Sequence, residues 1–456
     1  MPNFHAVLKR FALFALCAAL STNLIAVAPV HAQQGGLPIV RDAEIEAMIW
    51  SFTVPILGIA GIDPAATTLQ LVPSRALNAF VAGGPNIFIN TGLLMRADNP
   101  EQVIGVIAHE VGHIAGAHGI RTRDLMEDLQ LQGIITMILG VALAAATGEG
   151  GLAAASVMGS QGLMANAYLA HSRAQESAAD QAGVSYLEGI GVSARGLRDF
   201  LAMLEKEEYL AVGRQSPYFR THPVTRRRID FIEEHISKSR YSDARLPDYQ
   251  YRWFDIMQAK LSGFLNPPSR TLKDYPETDK SVPARYAQAI AYYRIPNLDK
   301  ALPLIDGLIA DDPENPYYRE LKGQMLFENG RVAEAIEPYR NAVRLSPGSP
   351  LLRTQMAQVL LESGDPLLNG VALSNLKESA RRDNGNGLTW HLLSIAYGRA
   401  GDIGMAALSI AEKALLEGDR KTAIGQARRA MHMLREGTRE WLRAESILNQ
   451  ADEMRS

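Results

Sequence analysis

Cysteine is almost absent from this chain of 456 residues: Cys17 is the only one. It lies in an N-terminal apolar stretch, so everything downstream is free of thiols. That part needs no disulfide, and an oxidising compartment cannot mispair it. A surplus of charge of one sign is also lacking. Lys and Arg total 46 against 49 Asp and Glu, a formal net charge of −3, which sets nucleic acid aside as a partner. Charge of any kind is missing from 129–148 and from 150–170, with Glu149 between them. The first run is long enough to span a bilayer, but Ala, Gly, Gln and Thr leave it only mildly apolar. The expectation is a helical hairpin over 129–170 that packs on the rest of the chain or makes peripheral membrane contact. Elsewhere the composition, 47% hydrophobic and 21% charged, is that of a globular protein with room for two or more domains.

The N-terminus reads as a targeting segment. Lys9 and Arg10 precede an apolar stretch from Phe11 to Val30, and Val30-His31-Ala32 offers small residues at the −3 and −1 positions of a cleavage site. This is the pattern of a secretory signal peptide over 1–32, with a mature chain starting near Gln33 in the periplasm. An uncleaved anchor is the rival, weakened by Asn23 and Pro29. Leu16 before Cys17 fits a lipoprotein site poorly.

The chemistry concentrates in 109-HEVGHIAGAH-118. His109 and His113 are four apart, so on a helix both imidazoles project from one face. Glu110 completes HExxH, in which two histidines bind zinc and the glutamate faces the open coordination position as a general base. The apolar approach 103–108 and the small residues Gly112, Ala115, Gly116 and Ala117 suit a buried helix. A third ligand could follow in two ways. HExxHxxGxxH would need histidine where Gly119 stands. His118 comes one residue early, about 100° around the helix, and is expected to point away from the metal as a local polar residue. The alternative is a carboxylate from a later helix. In 172-SRAQESAADQAG-183, Glu176 and Asp180 share a face among small residues. Glu176 would ligate, and Asp180 would accept a hydrogen bond from a ligand histidine.

HExxH followed by ExxxD resembles the zinc metallopeptidase family of the CAAX prenyl protease and the heat-shock protease HtpX, and within it the periplasmic branch with C-terminal tetratricopeptide repeats. The resemblance implies one zinc per chain held by His109, His113 and Glu176, with Glu110 as catalytic base. It also draws attention to His222-Pro223 and the arginines 226–228, because family members carry His-Pro and a following arginine after the glutamate helix. His222 could take the open zinc position or donate to the transition-state oxyanion; the sequence leaves both open.

Before the metal helix, 68–74 and 78–83 alternate like strands, and 87-IFINTGLL-94 resumes after a Gly-Gly-Pro-Asn turn. An edge strand there could pair with an extended substrate, which makes Ile87, Phe88, Ile89 and Asn90 candidate substrate-binding residues. Residues 38–62 read as a helix pair broken near Pro55. Past 282 the chain repeats: Pro313 and Pro347 are 34 residues apart. Gly323, Ala335, Tyr339 and Ala342 fall where tetratricopeptide repeats keep them, and a three-residue slip at 365–367 precedes Ala372, Leu376, Trp390 and Tyr397. Such repeats stack into a concave partner surface.

The expected architecture is α+β: a mostly helical, zincin-like metalloprotease domain with a small β-sheet over 33–265, a linker over 266–283, and an all-α tetratricopeptide-repeat solenoid over 284–456. The expected function is a periplasmic zinc metalloendopeptidase. The resemblance implies unfolded, misassembled or stalled outer-membrane proteins as substrates, met at the barrel-assembly machinery through the repeats. The rival is a chaperone-like binding scaffold with a structural or latent zinc site, against which an intact Glu110 argues.

Overall fold

The structure is a computed structural model that describes residues 38–119, 121, 122, 124, 171–206, 218 and 222–453. The expected signal peptide and the hairpin over 129–170 lie outside the described residues. The chain is mostly helical, with a three-stranded sheet near its start and paired helices through its second half.

Helix α1 (Ala43–Ala60) starts where the Asp42 side chain accepts from the Glu44 and Ile45 amides, and stops at Gly61, whose φ of 68° only glycine adopts freely. It is one helix, not the pair expected from Pro55. The proline sits on the exposed face with Ser51, whose carbonyl it leaves without an amide partner, so water can satisfy that group. Ile45, Met48, Ile49, Phe52 and Ile56 face the core.

Strands β1 (Thr68–Val72), β2 (Ala79–Val81) and β3 (Asn86–Asn90) form a sheet in the order β1-β3-β2. β1 runs parallel to β3 and β2 antiparallel to it. β3 is therefore central and paired on both sides, with Ile87 and Ile89 fully buried. This corrects the expectation for Ile87, Phe88, Ile89 and Asn90: a strand with both edges filled cannot accept a substrate strand. The expected strand over 87–94 also ends early, because α2 (Thr91–Arg96) begins at once.

Helix α3 (Pro100–Ala115) is opened by Asn99, whose side chain accepts from the Gln102 amide. It is buried along its length, and its neighbours come close enough to touch its backbone. A Cβ added at Gly112 would stand 2.8 Å from the Ala179 carbonyl oxygen, and one at Gly183 would stand 3.3 Å from the His109 amide nitrogen. Helix α4, described over 171–190, crosses α3 at these glycines. Helices α5 (Arg195–Glu205), α6 (Arg226–Lys238) and α7 (Asp248–Leu265) complete the same core.

After α8 (Pro268–Asp274), antiparallel pairs run from α9 (Val282–Arg294) and α10 (Leu298–Asp311) through α11 (Pro316–Glu328), α12 (Val332–Leu345) and α13 (Pro350–Glu362) to the final helix Arg439–Glu453. The slip at 365–367 is absorbed by a turn of 3₁₀ helix at Pro366–Leu368. These pairs pack on the first half. Ala43 is buried with Ala342, Leu351 and Leu352, and Arg41 Nη2 lies 2.8 Å from Asp383 Oδ2. Deeper in, Lys260 of α7 faces Asp42 at 2.8 Å, Glu44 at 3.1 Å and Glu320 of α11 at 3.9 Å. The Tyr286 hydroxyl donates to Glu44 at 2.8 Å.

One cation among three carboxylates, with Glu44 and Glu320 buried and Asp42 half-buried, leaves negative charge in excess. Burial, with Lys260 opposing and Asp42 and Glu44 adding to it, pushes the Glu320 carboxyl up to about 7. A raised folded value means that stability from this group is full below the ordinary glutamate range and lost as pH rises through 7. Glu320→Gln should therefore match the native chain in thermal midpoint at pH 5 and exceed it at pH 8, by about 1–3 kcal/mol in unfolding free energy. An equal difference at both pH values would show that Glu320 is ionised throughout.

Candidate metal centre

The core of α3 carries His109, Glu110 and His113, all buried. The glycine contacts at 112 and 183 bring α4 against them with Glu176 and Asp180 on the facing side. His222 comes from the turn before α6, where its amide donates to the Tyr218 carbonyl at 2.8 Å and its ring stacks on the Tyr218 ring at 4.4 Å. The ligating atoms of His109, His113, Glu176 and His222 all lie within 4.8 Å of one another.

The spacing suits a small divalent cation. Two ligands about 2.0–2.1 Å from a tetrahedral zinc stand about 3.3–3.4 Å apart. His109 Nε2 and His113 Nε2 are 3.1 Å apart, and each lies 3.4 Å from a Glu176 oxygen. His222 Nδ1 is 3.0 Å from Glu176 Oε1. His109 presents its other nitrogen, Nδ1, to Asp180 Oδ1 at 3.0 Å, somewhat off a straight hydrogen-bond line. Two imidazole nitrogens this close need either a hydrogen bond from an N–H of one ring or a metal ion between them. The electrostatics agree: burial opposes, but Asp180 and Glu176 hold His109 up at about 9, while burial pushes His113 down to about 3. One imidazole is thus a ready lone-pair donor. Glu176 is kept well below the ordinary carboxylate range, against burial, by His222, His109 and His113. The donor set of two or three imidazoles and one carboxylate suits zinc and other first-row divalent ions.

Glu110 stands apart. It is fully buried, with His222 Nε2 3.7 Å from Oε1 and Tyr218 nearby. Burial pushes its carboxyl up against the pull of His222 and His109.

The structure adds residues that the sequence reading left at the margin. Among the arginines 226–228, Arg228 is the buried one. Its Nε and Nη2 grip Asp180 at 2.6 and 2.9 Å, and Nη1 reaches Glu176 at 2.9 Å and the Pro223 carbonyl at 3.0 Å. The signal was available: Arg228 falls in register with Ile232 and Ile236 on the buried stripe of α6. His118 stays out of the four-residue cluster, as expected, yet it is not a detached polar residue. Its Nδ1 lies 2.8 Å from His113 Nδ1.

Residues 56–236 match peptidase family M48, and residues 286–350 match a tetratricopeptide repeat family. The chain is 24% identical to the beta-barrel assembly-enhancing protease of Escherichia coli (strain K12), over 92% of this chain and 86% of the relative. It is 23% identical to the protein of the same name from Yersinia pestis, over 83% and 78% of the two. Among solved structures, the tetratricopeptide-repeat protein YrrB covers 38% of this chain and 91% of its own at 19% identity, with a TM-score of 0.32.

Arg228 neutralises two carboxylates that would otherwise be buried together. Arg228→Met should cost about 3–5 kcal/mol in denaturant unfolding of the metal-free protein, the usual penalty for stripping one partner from a buried ion pair. Arg228→Lys should recover only part of it, since a point charge cannot reproduce the two-pronged grip. Unchanged stability in Arg228→Met would mean that Asp180 and Glu176 are hydrated or protonated instead.

Proposed function

We propose that this M48 peptidase with tetratricopeptide repeats is a zinc-dependent endopeptidase of the bacterial envelope, exported by its N-terminal segment. The observation that carries the reading is the buried His109–His113–Glu176–His222 cluster with the buried carboxylate of Glu110 beside it. His109, His113 and Glu176 would hold the zinc, and Asp180 would orient His109. Bound zinc supplies a Lewis acid that polarises the scissile carbonyl and acidifies water. Glu110 then takes the proton of the attacking water and hands it to the leaving amine. A purely structural metal would have no use for a buried base beside it, which weighs against the scaffold reading.

Substrate pairing moves from β3 to β2, an outer strand of the sheet that packs against α3; the other outer strand, β1, is bridged on its outer side by Val40. Main-chain pairing would tolerate many sequences, as cleavage of misfolded or stalled outer-membrane proteins requires. The relatives' name, beta-barrel assembly-enhancing protease, supports that substrate class and a docking role for the repeats at envelope assembly machinery.

The deciding experiment compares the native chain with Glu110→Gln for zinc content and casein cleavage. Both should bind zinc, one per chain, and only the native chain should cut. Equal cleavage by the variant removes Glu110 as the base; zinc-free native protein removes the metal reading altogether.

His222 supports a latch. Its ring nitrogen lies among the other donors, where a fourth ligand excludes water, and the Tyr218 stack holds it there. His222→Ala should raise basal casein cleavage at equal zinc content. A fall of about 10²–10³-fold would instead identify an oxyanion donor.

A further inference from the structure

We propose that His118 is a positioning residue for the metal centre: it accepts the Nδ1 proton of His113 and so fixes which nitrogen of His113 faces the metal. The inference rests on the zinc reading above. For His113 Nε2 to donate a lone pair to a cation, its proton must sit on Nδ1. That proton needs an acceptor, because His113 is buried. His118 Nδ1 is 2.8 Å away, with the two rings nearly perpendicular at 79°. His118 is therefore the neutral tautomer with its proton on Nε2. It serves His113 as Asp180 serves His109, so each histidine of the HExxH pair has its own outer partner.

The chain is shaped to allow this contact. Helix α3 ends at Ala115, and Ala117 takes a φ of 49°, a conformation disfavoured for alanine, which turns the next residue back over the helix end. The ring then lies across Gly116, where an added Cβ would stand 2.2 Å from His118 Nε2. Glycine at 116 is what leaves room for the ring. The returning backbone is pinned from α4: Gln175, next to Glu176, donates its Nε2 to the His118 carbonyl at 3.1 Å, and accepts from Thr122 Oγ1 at 3.1 Å. His118 is only 5% exposed. One residue thus ties the end of the histidine helix to the helix of the carboxylates, and its position depends on Gly116.

The test measures zinc affinity of the full mature chain by competition with a chromophoric chelator, alongside circular dichroism and melting of the metal-free forms. His118→Ala and His118→Phe should weaken zinc binding by about 10–100-fold, the range for loss of an outer hydrogen-bond partner, the phenylalanine filling the volume without an acceptor. His118→Asn, whose Oδ1 can stand where Nδ1 stood, should stay within about threefold of native. Gly116→Ala, which keeps the histidine but displaces its ring, should lose affinity as His118→Ala does. Native affinity in both His118→Phe and Gly116→Ala would overturn the proposal, as would an asparagine variant as weak as the alanine one. Should His118→Ala fail to fold, the Gly116→Ala and His118→Asn pair still decides. A native chain that binds no zinc fails differently: it removes the metal reading itself, before any variant is compared.

Discussion

The close crossing of two helices is the constraint on which the site depends. Where α3 meets α4, glycine at 112 lies against the Ala179 backbone and glycine at 183 against that of His109. Any side chain at these points would hold the helices apart and carry Glu176 and Asp180 away from His109 and His113. The separations of 3.0 to 3.4 Å between these imidazoles and carboxylates are a consequence of that backbone contact. The small residues around both motifs are therefore part of the metal site, although none has a ligating atom.

Bringing two carboxylates and several imidazoles into a dry interior creates a charge problem, and the rest of the local structure answers it. Arg228 spans Asp180 and Glu176 from α6, and its remaining contact with the Pro223 carbonyl sets the turn that presents His222. The arginine thus couples charge balance to the geometry of the fourth donor. Glu110 lies at the edge of this network, with His222 Nε2 3.7 Å away. The same physics recurs away from the site, where Lys260 of α7 meets Asp42 and Glu44 at the start of α1 and Glu320 of α11, and so joins the peptidase half to the repeats. With Ala43 and Arg41 also engaged by the repeats, the first residues of α1 are held from both halves.

Much of this was legible in the sequence because it rests on local spacing. Four-residue spacing put His109 with His113 and Glu176 with Asp180, and the 34-residue period with its small residues gave the repeat helices. What was not legible depends on long-range pairing. Alternation identified strands near Phe80 and Phe88 but carries no information on strand order, so a central strand was read as an edge. Pro55 looked like a break because sequence does not reveal that the carbonyl it leaves free faces water. Three consecutive arginines look alike until the apolar stripe of α6 is laid beside them. Helix rotation placed His118 off the metal-facing side, where it is, but not its contact with His113, which arises because the helix has already ended and Ala117 takes a φ of 49°. Lys260 and its acids are separated by up to 218 positions in the chain, and nothing local announces their meeting.

The central claim is that the buried histidines and Glu176 hold a zinc ion with Glu110 at its open side. Anomalous scattering at the zinc edge, from crystals of the chain, addresses it directly. The account predicts a single peak about 2.0–2.2 Å from His109 Nε2, His113 Nε2 and one Glu176 oxygen, with Glu110 close by but not ligating. A stoichiometric zinc peak elsewhere in the chain, or one at this site with Glu176 swung away and another carboxylate in its place, would contradict it.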